Sequence, residues 1–223
     1  QLFANSGVLT RHAVANPVYE DVSRWGTAAR MERYLAEALP LGKDAVSAAL
    51  DDAGIAAADV GLFAVTSCTG YVTPGVDIRL SCDLGMSDRV RRLFVGHMGC
   101  YAALPGLGTV ADFTAARGRP SVLLCLELTS LHVQPPTTHV DQVVAHALFA
   151  DAAAAVVLEA AERPGFEVLD VVARTDVTTA EYMTWDVTDL GFRMGLSPRV
   201  PAVLARHVAG VVDELLAAHG LDR

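Results

Sequence analysis

The chain switches repeatedly between two hydrophobic periods, and this alternation restricts its fold more than any other feature. Residues 41–53 place apolar side chains at the 3.6-residue spacing of an amphipathic helix, stopped by Gly54. Residues 60–66 form a continuous apolar run with β-branched members, the pattern of a strand buried on both faces of a parallel sheet. Helix 76–85, strand 93–95, helix 101–117, strand 122–126, helix 142–149 and strand 152–158 follow in turn. Residues 166–178 read as a further strand pair, and 199–219 as a last helix. Parallel strands need long crossovers, which helices supply, so the chain is expected to be α/β with helices on the faces of its sheet. Thr69-Gly70, Thr73-Pro74-Gly75 and the Pro135-Pro136 stretch are loop chemistry, the last a segment able to line a pocket.

Composition excludes several functions. With 223 residues, 52% of them hydrophobic, the chain can build one core or two small packed halves. The net charge is −9 and no Lys/Arg run occurs, so nucleic acid is not an expected partner. The most apolar stretch, residues 143–161, is interrupted by His146, Asp151 and Glu159; it reads as buried core rather than a membrane span. Cys68, Cys82, Cys100 and Cys125 show no CxxC spacing, which fits reduced thiols in a cytoplasmic protein. No metal site is expected.

Cys100 carries the chemical signal. It follows the strand-like run Arg92-Leu93-Phe94-Val95 through Gly96-His97-Met98-Gly99 and opens the helix at Tyr101. A sulfur at such a turn faces the free N–H groups of a helix start, which favours the nucleophilic thiolate. The glycines let the backbone turn sharply, as nucleophile turns require. Pro105 fits the helix only within its first turn. Taken locally, the residue reads equally as a buried structural cysteine.

A set of segments in a fixed order goes further. Thr66-Ser67-Cys68-Thr69-Gly70 with Pro74-Gly75 comes first, then Gly99-Cys100, then Leu126-Glu127-Leu128-Thr129. Ala147-Leu148-Phe149-Ala150-Asp151 and Gly191-Phe192-Arg193-Met194 with Val200-Pro201 follow. In this order they resemble the type III polyketide synthases, the chalcone-synthase-like family of the thiolase fold. Gly96-His97-Met98-Gly99-Cys100-Tyr101 and Leu131-His132-Val133-Gln134 are most similar to the bacterial alkylpyrone and alkylresorcinol synthases.

The resemblance implies a thiolase-like fold of αβαβα layers, usually as a homodimer. Residues 1–160 would be the first half with its nucleophilic cysteine, and 161–223 the start of the second. It implies acyl-CoA and malonyl-CoA as substrates, no cofactor, and Cys100 as the residue that takes the acyl starter. The polyketide chain would then grow by decarboxylative condensation and cyclise to a pyrone or resorcinol. The family's His and Asn partners stand in His-Pro-Gly-Gly-like and Gly-Asn-like segments, neither of which occurs in residues 1–223. No other histidine is expected to replace them. Two further readings remain: a ketoacyl-ACP synthase III-like single condensation, and a catalytically incomplete thiolase-fold subunit.

The same resemblance places several pocket residues. Phe149 matches the gate between CoA tunnel and acyl cavity, with a core aromatic as the plainer alternative. Cys68 faces the cavity, where a second thiol would tune chain length or cyclisation, with a small apolar filler at a strand end as the alternative. Thr129, His132 and Met194 line its wall. Trp185 stands where a glycine keeps the cavity wide in plant enzymes, and so would fill or redirect that space, with an ordinary core or surface aromatic as the alternative. Thr73 replaces a methionine that crosses the dimer interface in plant members. Asp151 is expected to order the turn after its helix. Where the family offers cations to CoA phosphates this chain has Asn5; Arg11 and Arg119 read as solvated charges.

Overall fold

The computed structural model describes residues 2–161 and 163–223. Six helices are present among these residues: α1 (Leu2–Asn5), α2 (Thr27–Ala53), α3 (Val76–Asp83), α4 (Ala103–Arg117), α5 (Val140–Leu148) and α6 (Val200–Ala218). The strands are β1 (Leu62–Thr66), β2 (Arg91–Val95), β3 (Ser121–Glu127), β4 (Ala152–Leu158), β5 (Met183–Thr188) and β6 (Gly191–Leu196).

β1 to β4 form one sheet in the order β2-β1-β3-β4. β1 is parallel to both β2 and β3, and β4 runs antiparallel to β3. All five residues of β1 are buried, as a continuous apolar run demands. Successive side chains point to opposite faces. Phe63 and Val65 join Val122, Leu124 and Leu126 against α2 and α3, while Leu62, Ala64 and Leu123 pack with Val110 of α4. The result is a sheet between two helical layers.

α2 starts at Thr27, well before the expected boundary at Leu41. Pro40, just before that boundary, lies inside α2 on the exposed side, where the hydrogen bond it cannot make is left to solvent. The helix is held by a stripe at every fourth residue: Arg30, Tyr34, Ala38, Gly42, Val46 and Leu50 are buried. Gly42 lets the helix approach the sheet, since a Cβ there would stand 2.9 Å from Leu80 Cδ1. Gly54, at φ 64°, caps the helix by donating to Asp51 and Leu50 carbonyls. Pro105 is the third residue of α4, within its first turn as required, and Gly118 at φ 61° ends that helix.

Two expectations are corrected. Residues 166–178 contain no strand; a 3-10 stretch over Val177–Tyr182 overlaps their end, and the antiparallel pair is β5–β6, around the turn at Asp189-Leu190. The β-branched residues in 166–178 find no partner strand among the described residues, and Phe166 and Val177 stay exposed. Residues 143–161 are not uniformly core. β4 is an edge strand that alternates in exposure, with Val156 on the open side. Among the described residues no helix is long and apolar enough to cross a membrane.

Candidate active site

Three parallel strands end side by side, the place where open α/β sheets present ligand sites. β1 runs into Ser67-Cys68-Thr69-Gly70, β2 into Gly96-His97-Met98-Gly99-Cys100, and β3 ends on Glu127. Because β1 lies between β2 and β3, the turn bearing Cys68 lies between the turn bearing Cys100 and the Glu127 carboxylate.

Cys100 occupies a 3-10 turn, Gly99–Ala102, that leads into α4. His97 has φ 59° and Gly99 φ 64°. A left-handed non-glycine residue costs on the order of 1 kcal/mol unless its surroundings hold it. The His97 ring lies 6.2 Å from Tyr71 and 6.4 Å from Phe192. The Cys100 side chain is exposed, so the reading of a buried structural cysteine does not apply.

Cys68 differs in every respect. It is half-buried, and its backbone N–H donates to both Glu127 oxygens, at 2.9 and 3.1 Å. The Thr69 hydroxyl donates to Glu127 at 2.6 Å and accepts the Leu128 N–H at 2.8 Å. Burial pushes the Cys68 thiol up to about 12, with the Glu127 charge and then Cys100 adding to it. At neutral pH Cys68 is therefore a protonated thiol and a poor nucleophile. Burial also pushes the Glu127 carboxyl above the usual range, against the pull of its Thr69 and Cys68 hydrogen bonds. Beneath this turn the Tyr34 hydroxyl donates to Ser67 Oγ at 2.8 Å. Gly70 is required here because a methyl group would overlap the Tyr34 ring.

The hairpin β5–β6 closes one side. Trp185 pairs with Met194 across it, and Phe192 follows on the same face. Trp185 Nε1–H donates to the Cys68 carbonyl at 2.8 Å. Phe192 is stacked on His132 with ring centres 4.6 Å apart and 10° between planes, and Trp185 meets His132 edge-on at 5.4 Å. Gln134 donates to the Leu190 and Phe192 carbonyls at 3.2 Å each, and Gln142 to that of Met194.

His132 is buried, with both ring nitrogens engaged: the Phe192 N–H donates to Nδ1 at 2.9 Å, and Nε2 lies 2.7 Å from the Thr69 carbonyl. A backbone N–H can only donate, so Nδ1 accepts and Nε2 carries the proton, giving a neutral imidazole. Burial pushes His132 down to about 4, and the Arg30 charge adds to this. The unfolded chain takes up a proton near pH 6.5 that the folded chain refuses until about pH 4. Stability contributed above pH 6.5 is thus lost as pH falls through this window, by about 3 kcal/mol in total. Urea unfolding at pH 7 and pH 4.5 is expected to show the drop, and His132→Phe to remove most of it. An equal drop in that variant would assign the loss elsewhere.

The remaining pocket residues separate. Phe149 caps the end of α5 and is 37% exposed among the described residues. Thr129 turns its hydroxyl to Asp151 at 3.3 Å. Asp151 is buried and accepts from the Val14 and Ser130 N–H groups at 2.7 Å, so it orders two chain segments rather than one turn. Arg11 and Arg119 are not simply solvated: Arg11 donates to the Ala147 carbonyl and Ser6, Arg119 to the Asp59 and Val60 carbonyls. Asn5 lines a small apolar cavity of about 180 Å³ with Ser6, Val144, Ala147 and Leu148. Glu127, Arg30 and Phe192 have no role assigned from sequence. A lone carboxylate at the end of an apolar strand, and a cation on the buried stripe of a helix, are signals that mark the first two.

The family model for chalcone and stilbene synthases, N-terminal domain, matches residues 8–162. The chain belongs to the chalcone and stilbene synthase family. It is 36% identical to 1,3,6,8-tetrahydroxynaphthalene synthase of Streptomyces peucetius subsp. caesius, over 99% of this chain and 60% of that protein. It is 31% identical to the alpha-pyrone synthesis polyketide synthase-like Pks18 of Mycobacterium tuberculosis, over 100% of this chain and 59% of the relative. Among solved structures, 1,3,6,8-tetrahydroxynaphthalene synthase from Streptomyces coelicolor A3(2), a bacterial type III polyketide synthase, superposes with TM-score 0.93 at 29% identity. That match covers 99% of this chain and 63% of the other. The fold is thus thiolase-like, as the ordered segments imply. The chain spans about 60% of the length of the curated relatives it matches.

Proposed function

We propose that this chain carries the acyl-loading site of a type III polyketide synthase, with Cys100 as the nucleophile. The observation that supports this most is the contrast between the two neighbouring thiols: Cys100 is exposed at a strained strand-to-helix turn, whereas burial and Glu127 keep Cys68 protonated. Cys100 thiolate attacks the carbonyl of an acyl-CoA, a thioester forms, and the CoA thiolate leaves. Malonyl-CoA loses CO₂, and the resulting enolate attacks the enzyme-bound acyl carbonyl, forming a C–C bond and freeing Cys100. The product remains on CoA, can be reloaded, and cyclises after further rounds. Enolate stabilisation needs oxyanion donors; the segments that carry the His and Asn supplying them in this family do not occur within residues 1–223.

Phe149, with its exposed ring, is the proposed gate for the CoA arm. Cys68, Thr129, His132, Trp185 and Met194 are the proposed acyl-cavity wall. Trp185 narrows that wall where plant enzymes carry glycine. A pyrone or resorcinol product is the finer proposal, supported by the alpha-pyrone naming of one relative; assembly as a homodimer is proposed with it.

The test is product analysis of the intact protein with a series of acyl-CoA starters and malonyl-CoA. Pyrone or resorcinol products from CoA substrates alone are expected. A strict requirement for malonyl-ACP with one condensation per turnover would instead make it a ketoacyl-ACP synthase III-like enzyme.

A further inference from the structure

We infer that His132 is a positioning residue: its neutral imidazole ties the hairpin β5–β6 to the turn that carries Cys68, and so fixes where Trp185 and Phe192 stand beside that thiol. Three contacts carry the argument. Nε2–H reaches the Thr69 carbonyl at 2.7 Å, one residue from Cys68. Nδ1 receives the Phe192 N–H at 2.9 Å, inside β6. The ring face is covered by Phe192 at 4.6 Å and its edge by Trp185 at 5.4 Å. Trp185 closes the loop by donating to the Cys68 carbonyl at 2.8 Å, so turn and hairpin are joined twice, once through each ring.

His132 is itself held. Arg30, fully buried on α2, donates to the carbonyls of Leu131 and Val133 on either side of it. The hairpin turn presses against both residues: Gly191 has φ +86°, and a Cβ there would lie 2.6 Å from Arg30 Cδ and 3.0 Å from His132 Nδ1. No single replacement side chain reproduces one acceptor and one donor on opposite edges of a flat ring at this spacing. The clamp therefore acts through the positions of Trp185 and Phe192 rather than through any polar group offered to substrate, since both nitrogens are already used.

The effect on products rests on the condensing-enzyme reading; the clamp itself does not. In the intact protein, hydrogen exchange and product ratio are read together for the parent, His132→Phe, His132→Asn and Trp185→Phe. His132→Phe keeps the stack and removes both hydrogen bonds. It is expected to speed exchange across β5–β6 by about tenfold or more, with β1 and β3 unchanged, and to alter the ratio of chain lengths or ring types about fivefold. His132→Asn keeps an acceptor near Nδ1 and is expected to recover part of the hairpin protection. Trp185→Phe severs the second tie while leaving both His132 hydrogen bonds in place and is expected to shift the same product ratio, which keeps the test decisive if His132→Phe does not fold. Unchanged hairpin exchange in a folded His132 variant would overturn the clamp. Faster exchange with an unchanged product ratio would overturn its role in shaping the site. A parent protein that makes no product would strike the condensing-enzyme reading, while the exchange data still decide the clamp.

Discussion

Cys100→Ala is expected to abolish covalent acyl loading, and Cys100→Ser to slow it on the order of a thousandfold or more. Intact-protein mass spectrometry after incubation with an acyl-CoA gives the result directly, as a mass increment of one acyl group. The magnitude follows from the surroundings. The neighbouring thiol does not substitute: Cys68 is protonated at neutral pH because burial, Glu127 and Cys100 all oppose its charge. The turn that presents Cys100 is independent of the sulfur, being set by His97 and Gly99 in left-handed conformations. A serine in that turn keeps the geometry but offers an intrinsically weaker nucleophile. An acyl adduct that survives in Cys100→Ala would remove Cys100 from the nucleophile's role and turn attention to Cys68.

Arg30→Met is expected to destabilise the chain by about 4 kcal/mol or more, measured by urea unfolding. Arg30 is fully buried and is satisfied by main-chain carbonyls alone: Trp25 at 2.8 Å, Ser23 and Val133 at 3.1 Å, and Leu131. Burial pushes its guanidinium below the ordinary value, as an unpaired cation in the interior requires. Methionine fills similar volume but leaves four carbonyls without their donor, each costing about 1 kcal/mol or more. Arg30→Lys is expected to recover less than half of the loss, because three donors on one nitrogen cannot span the positions that a planar fork reaches. A loss under about 1 kcal/mol in Arg30→Met would show that those carbonyls find other partners.

Much of the fold is legible in the sequence, and the reasons are local. β1, β3 and β4 announce themselves by short apolar runs, and Gly54 and Gly118 by their place after helical periods, because period and capping depend on neighbours a few residues away. The misreadings have a common cause. The start of α2 was hidden because Pro40 breaks helices unless its face is solvated, and only packing tells which face that is. Residues 166–178 have strand-like composition, but a strand exists only with a partner, and the ladder forms between β5 and β6 instead.

The site divides along the same line. Cys100 stood out because its chemistry is written in consecutive residues, a strand, two glycines, a thiol and a helix, and the ordered segments around it carried the family. Packing alone separated the two thiols, since burial and the Glu127 carboxylate reach Cys68 from β3, 59 residues away in the chain. It also gave His132, expected on the cavity wall, hydrogen-bond partners 60 and 63 residues distant. Hydrogen-bond partners and desolvation are properties of what the folded chain brings together, and spacing along the sequence does not encode them.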